Sequence, residues 1–268
     1  CVDDEVYITT FAGTVMKFDQ TSGKILSAKK ERATSAPVVV GNDVLFTQRA
    51  DNADEKGPVQ EELAFNDRTK GEVRLNVNRK VAKHIDKDVQ TRTAHNAKGQ
   101  ELDAGNGFSG GAPQAANPDA AWDNIGYGSV STMQSFQGSR GCVFGHMTLT
   151  CPGDEIICND NGSGKVKWKI KLDGDIEKVG GFLASPPAAA GKHVFVSTLD
   201  GHVLQLDPAE GKLVKKHKVG SPVRFQPAIV DGRIYVGTQD GKLVALDTKD
   251  RTLTGWTTWG GDAAHTGV

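Results

Sequence analysis

No stretch of the sequence approaches the roughly 18 consecutive apolar residues of a membrane-crossing helix, and no basic segment leads into an apolar run near its start. A helical membrane span is therefore not expected. An excess of one charge is also missing: 32 Lys and Arg stand against 33 Asp and Glu, for a net charge of −1. Such a balance gives no field that would gather nucleic acid or anionic lipid. Cysteine is scarce, with Cys1, Cys142, Cys151 and Cys158 only. Four are too few for a disulfide framework, and no Cys-x-x-Cys pair offers a zinc or haem site. Long apolar helical stripes are lacking as well. What the 268 residues do have is 32 glycines and a 37% hydrophobic share broken into short runs between turn residues. That pattern points to an all-β chain.

Repetition gives the pattern its meaning. Gly13 to Asp19, Gly201 to Asp207 and Gly241 to Asp247 can be laid over one another, glycine preceding aspartate by six and apolar residues alternating between them. Alternation of this kind is the period of a half-buried strand. Asp19, Asp67, Asp160 and Asp207 are each followed four residues later by glycine. The short acceptor side chain and the glycine bracket a tight turn. The five aspartates at 19, 67, 160, 207 and 247 are separated by 48, 93, 47 and 40 residues. A period of roughly 40 to 50 residues built only of strands is that of a four-stranded propeller blade.

A second signature precedes three of the anchors: Pro37-Val-Val-Val-Gly41, Pro187-Ala-Ala-Ala-Gly191 and Pro227-Ala-Ile-Val-Asp231-Gly232, each followed by another apolar strand. Small and branched residues suit inner strands covered on both faces, and a proline at the strand start forfeits no ladder bond. The expected architecture is an all-β propeller of four-stranded antiparallel blades, at about 1–30, 35–78, 139–171, 183–218 and 223–250. Arg49 to Gln60 reads as an exposed loop, and 79–134 as a long inserted loop pinned by Trp122, Tyr127 and Phe136. The first blade is expected to lack its inner strand and the last its fourth, as in the C-terminal part of a seven- or eight-bladed ring. Cys1 suits the lipid-bearing first residue of a bacterial lipoprotein. Val2 to Ile8, however, reads as turn and strand rather than as a flexible tether, which argues against a lipid anchor there.

The run Asp160-Asn-Gly-Ser-Gly164-Lys-Val-Lys-Trp168, with Asp, Gly and Trp at four-residue steps, resembles the docking repeat of pyrroloquinoline-quinone (PQQ) dehydrogenases and their cofactor-free relatives. In that family the tryptophans lock one blade to the next. Ser27, Leu75 and Lys215 stand at the matching positions here. The segment Gly255 to Gly267, with Trp256 and Trp259, resembles the tail of secreted bacterial proteins with this repeat. The resemblance implies that 251–268 packs on the propeller. It also implies, for a catalytic member, an adjacent cysteine pair, a stacking tryptophan, and a calcium ion held by carboxylate and amide ligands. The sequence has no Cys-Cys pair, so no catalytic, cofactor-binding or metal-ligating residue is assigned and no cofactor is expected. Cys142, Cys151 and Cys158 read as small residues on successive strands or one diagonal disulfide, with metal binding beside His146 as the alternative.

Three functions compete on these grounds. The first is a non-catalytic scaffold in the periplasm, at the outer membrane or outside a bacterial cell, holding protein partners through 79–134 and similar to the outer-membrane assembly lipoprotein of this fold. The second is a PQQ- and calcium-dependent oxidoreductase whose cofactor residues lie outside this chain. The third is a sugar-binding propeller using Trp122 and Tyr127. The first is preferred.

Overall fold

The computed structural model describes residues 2–49, 60–71, 73–80, 140–175, 182–255 and 261. Every regular element among them is a strand, and the strands form five antiparallel sheets in chain order. The first sheet holds β1 (Glu5–Thr9), β2 (Thr14–Asp19) and β3 (Ile25–Lys30). The second holds β4 (Val38–Val40), β5 (Asp43–Arg49), β6 (Gln60–Asp67) and β7 (Val73–Lys80). β8 (Cys142–Phe144), β9 (Met147–Thr150), β10 (Glu155–Asp160) and β11 (Val166–Lys171) make the third. β12 (Ala188–Ala190), β13 (His193–Thr198), β14 (His202–Leu206) and β15 (Leu213–Lys218) make the fourth. The fifth holds β16 (Ala228–Val230), β17 (Arg233–Gly237) and β18 (Leu243–Asp247).

The aspartate anchors act as their spacing predicts. Asp160 accepts from the Ser163 amide through Oδ1 at 2.8 Å, and its own carbonyl accepts from Gly164 N–H at 2.7 Å. Gly164 takes φ 68°, a conformation that a Cβ would strain. Asp19, Asp67 and Asp207 close the same turn. Just before each of these four anchors the register to the outer strand slips by one residue, leaving Leu26, Arg74, Lys167 and Val214 as bulges. A bulge re-aims its neighbours. Here the neighbours are Ser27, Leu75, Trp168 and Lys215, the tryptophan-type positions of the repeat.

The sheets stack as propeller blades do. Inner strand β8 lies beside β12, and β12 beside β16. Ala188, Ala189 and Ala190 are all buried, because only a small side chain fits where inner strands crowd together. One apolar cluster joins the third sheet to the fourth through Leu149, Cys158, Val194 and Leu206. Another joins the fourth to the fifth through Phe195, Val203, Ile229 and Ile234. Burial fades outwards: β13 is almost wholly buried, whereas β3 is exposed along its length.

Several boundaries move. β5 runs to Arg49 and β6 begins at Gln60, so both residues belong to a long hairpin rather than to the loop. β7 extends to Lys80, which places Arg79 and Lys80 in the second sheet. Paired strand continues there because Gln60 and Glu61 supply partners for Lys80 and Arg79. The remainder of 79–134, including Trp122 and Tyr127, lies outside the described residues, as do Phe136, Cys1, Trp256 and Trp259. Residues 252–255 return to the fourth sheet, where Gly191 N–H donates to the Thr254 carbonyl at 2.6 Å.

Candidate functional site

Each sheet presents one face to the next, and the side chains along that face decide how neighbours are joined. In the third sheet the register aligns Leu149, Cys158 and Trp168 across the strands. The indole projects over the Asp207 turn of the fourth sheet, and its Nε1–H donates to the Pro208 carbonyl at 2.8 Å. A Cβ added at Gly211 would lie 2.7 Å from Trp168 Cδ2. Glycine is therefore required there twice over, by its φ of 73° and by the ring resting on it.

The corresponding rows differ. In the second sheet it is Leu45, Phe65 and Leu75. In the fourth it is Phe195, Gln205 and Lys215. Lys215 is exposed, and the buried ring on that face is His217, two residues further along. Its Nε2 lies 3.0 Å from Gln205 Oε1, and its ring sits 6.5 Å from that of Phe195. Burial, with Lys215 nearby, lowers the His217 pKa. In the first sheet the row is Tyr7, Lys17 and Ser27. There the Lys29 ammonium donates to the Gly71 carbonyl, its stem lying over that turn as the indole lies over Gly211.

The first row is also the most charged place between sheets. Glu5 accepts from Tyr7 Oη at 2.6 Å, Lys17 Nζ at 2.9 Å and Arg68 Nε at 2.9 Å, while Arg68 Nη1 meets Asp3 at 2.8 Å. Burial pushes the Glu5 carboxyl up, but the three donors outweigh it and hold it at about 2. Burial and the adjacent carboxylate raise Tyr7. A carboxylate this strongly held and a phenol this reluctant to ionise are poorly tuned for proton transfer near neutrality. The cluster instead ties the first sheet to the second.

Other polar groups serve similar ends. Ser35 and Ser185 Oγ each accept an amide, from Thr47 and Ser197, at 3.0 Å, clamping the segment before an inner strand to the second strand. Arg140 donates to Gln226, which donates to the Pro187 carbonyl, linking the starts of three inner strands. Burial lowers Arg140 to about 9.

The cysteines do not form the pair or the strand series expected. Cys142 and Cys158 lie on β8 and β10, but Cys151 follows β9, where Pro152 has no N–H to continue the ladder. All three are free thiols and buried. Burial pushes Cys142 up to about 12 and Cys158 to about 11. His146 is exposed on the β8–β9 turn beside Asp160 and Lys167, apart from the thiols. Among the described residues, no group of three or more His, Cys, Asp or Glu side chains is arranged to hold a metal. The one described tryptophan already has a ring face against Gly211. The described residues thus supply neither a ligand set for calcium nor a free indole face for a quinone.

The comparisons with known proteins agree with this geometry. The computationally designed Ika8 protein superposes with a TM-score of 0.53 at 14% identity, covering 92% of this chain, which spans 56% of the designed chain. That likeness carries the fold alone. BamB from Moraxella catarrhalis gives 0.41 at 12% identity over 91% of this chain and 67% of its own, and the designed Ika4 protein 0.43 at 13% over 80% and 90%. No curated protein matches the sequence. The family described as outer membrane protein assembly factor BamB matches residues 115–254, a stretch that includes the third, fourth and fifth sheets. On that match, over more than half its length, this PQQ-type propeller chain belongs to the BamB family.

Proposed function

We propose that the chain is a non-catalytic, extracytoplasmic scaffold of a bacterial envelope or extracellular assembly, a propeller that holds protein partners. The family match over 115–254 is the observation that carries this reading, since the family is described by a role in outer-membrane protein assembly. The side chains between sheets support it. Glu5, Lys17, Arg68, His217 and Trp168 could each serve a reaction, yet each bonds or packs within or between blades. A rigid ring then offers its loops and grooves for recognition. The segment 79–134 is the proposed contact element.

The test is co-purification after in-cell crosslinking, using the intact chain and a variant whose residues 79–134 are replaced by a short linker. A defined envelope protein recovered with the intact chain and lost with the variant supports both parts of the reading. Equal recovery with both removes the segment's role. Absence of any reproducible partner overturns the scaffold assignment.

A further inference from the structure

The first interface between blades has no aromatic ring over its receiving turn. Where the third sheet inserts Trp168 over the next turn, the first sheet presents Ser27, and a groove with about 50 Å³ of free space lies between it and the second sheet, under the Lys29 side chain. Val15, Val44 and Phe46 contribute its apolar floor, Tyr7 a wall, and Lys29 reaches across it to Gly71. The receiving half of the docking arrangement is intact. Gly71 keeps the left-handed φ of 65°, and the Asp67 turn makes both bonds of the Asp207 turn that seats the indole, the carboxylate accepting the amide two residues on and the carbonyl that of the glycine. The carbonyl one residue past the aspartate, which takes the indole N–H at Pro208, is here that of Arg68. Only the inserting ring is missing. That free space is too small for an aromatic ring, so a ring enters only if the Lys29 side chain moves off Gly71.

Charge selects the occupant further. Lys17, Lys29 and Arg68 line the groove with Glu31 and Asp67. Lys17 and Arg68 share Glu5, and Asp67 is bonded to the Thr69 and Lys70 amides and to Asn42. Lys29 donates to a neutral carbonyl, so its charge is not matched by that bond. Its stem is exposed and can swing aside, whereas the floor is set by packed residues.

We propose that this groove receives an aromatic side chain of a partner protein, presented beside a carboxylate. The ring takes the place over Gly71 that Trp168 takes over Gly211, and the carboxylate pairs with the displaced Lys29 ammonium. This deepens the scaffold reading and rests on it, by giving the chemistry of one partner contact. N-acetyl-tryptophan and N-acetyl-tryptophanamide are the probes, titrated against the full chain and followed by NMR line broadening. The anion is expected to bind saturably and a few-fold more tightly than the amide, in keeping with about one exposed ion pair. Ser27→Trp fills the groove from within and is expected to weaken binding at least about tenfold while leaving thermal stability undiminished. Lys29→Glu, an exposed change that leaves the floor untouched, is expected to abolish or reverse the preference for the anion. No saturable binding by the native chain overturns the proposal. So does undiminished binding by folded Ser27→Trp, or an unchanged anion preference in Lys29→Glu, which decides the matter should the first variant fail to fold. Partner recovery in the crosslinking experiment without probe binding refutes the groove alone; probe binding without any partner refutes the scaffold reading instead.

Discussion

Replacing Trp168 by alanine should destabilise the chain through one interface, and the cost can be built from its parts. A fully buried tryptophan truncated to alanine costs about 3–5 kcal/mol. Trp168 is half-buried, which brings the expectation to about 2–3 kcal/mol, of which about 1 kcal/mol belongs to the Nε1–H bond to Pro208. Trp168→Phe, which keeps a ring but has no N–H, should therefore cost only about 1 kcal/mol. Gly211→Ala provides the other side of a double-mutant cycle. Alone it must bear a φ of 73° and a Cβ 2.7 Å from the indole; with Trp168→Ala only the backbone strain of about 1–2 kcal/mol remains. The double variant should thus be less destabilised than the sum of the singles, by at least about 1 kcal/mol. Urea unfolding followed by circular dichroism measures the native chain and all four variants without relying on the fluorophore being removed. Additivity within about 0.5 kcal/mol, or Trp168→Phe costing as much as Trp168→Ala, would refute the docking argument.

Two further outcomes follow from the ionisable groups. The Glu5 carboxyl is lowered from 4.5 to about 2, so its stabilising contribution is present above pH ~4.5 and disappears as the pH falls through about 2. Because Glu5, Lys17 and Arg68 retain some solvent contact, the contribution is set at about 1–2 kcal/mol rather than the full linkage value of about 3. Glu5→Gln should be less stable than the native chain at pH 7 and approach it near pH 2 in thermal unfolding; a constant gap would contradict this. Cys142, Cys151 and Cys158 should resist iodoacetamide at pH 8 in the folded chain and react readily in urea, as mapped by mass spectrometry of their peptides. Native labelling at the unfolded rate would mean that the sheets do not cover them.

Local chemistry is what the sequence made legible. Asp160, Ser163 and Gly164 close their turn within five residues, so spacing alone carries the information, and the same holds at Asp19, Asp67 and Asp207. Ser35 and Ser185, two residues before the prolines that open inner strands, were an equally local signal that went unread. The loss of tryptophan at 27, 75 and 215 was legible; what replaced it was not. Lys29, over the Gly71 turn, and His217, buried on its strand, each stand two positions further on, a step that keeps the same face of a strand, so the period-2 rule could have nominated them. Glu5 and Arg68 lie 63 residues apart, and no periodicity brings them together. Only the packing of one blade on the next makes that pair.

The consequence is that a single docking position is met by different chemistries around the ring. The register puts Leu75 at that position in the second sheet, Trp168 caps the third, and Lys215 stands there in the fourth with His217 buried beside Gln205. The first sheet relies on a lysine stem and a carboxylate network. Since each solution involves only two neighbouring sheets, the fold tolerates the exchange while the character of each interface changes independently. An apolar interface loses little on acidification, whereas one organised around Glu5 loses its ion pairs together. The first interface is therefore both the one that acid should loosen first and the one proposed to take an incoming side chain. Both properties trace to the same substitution pattern, a polar row of Tyr7, Lys17 and Ser27 where the third sheet has Leu149, Cys158 and Trp168.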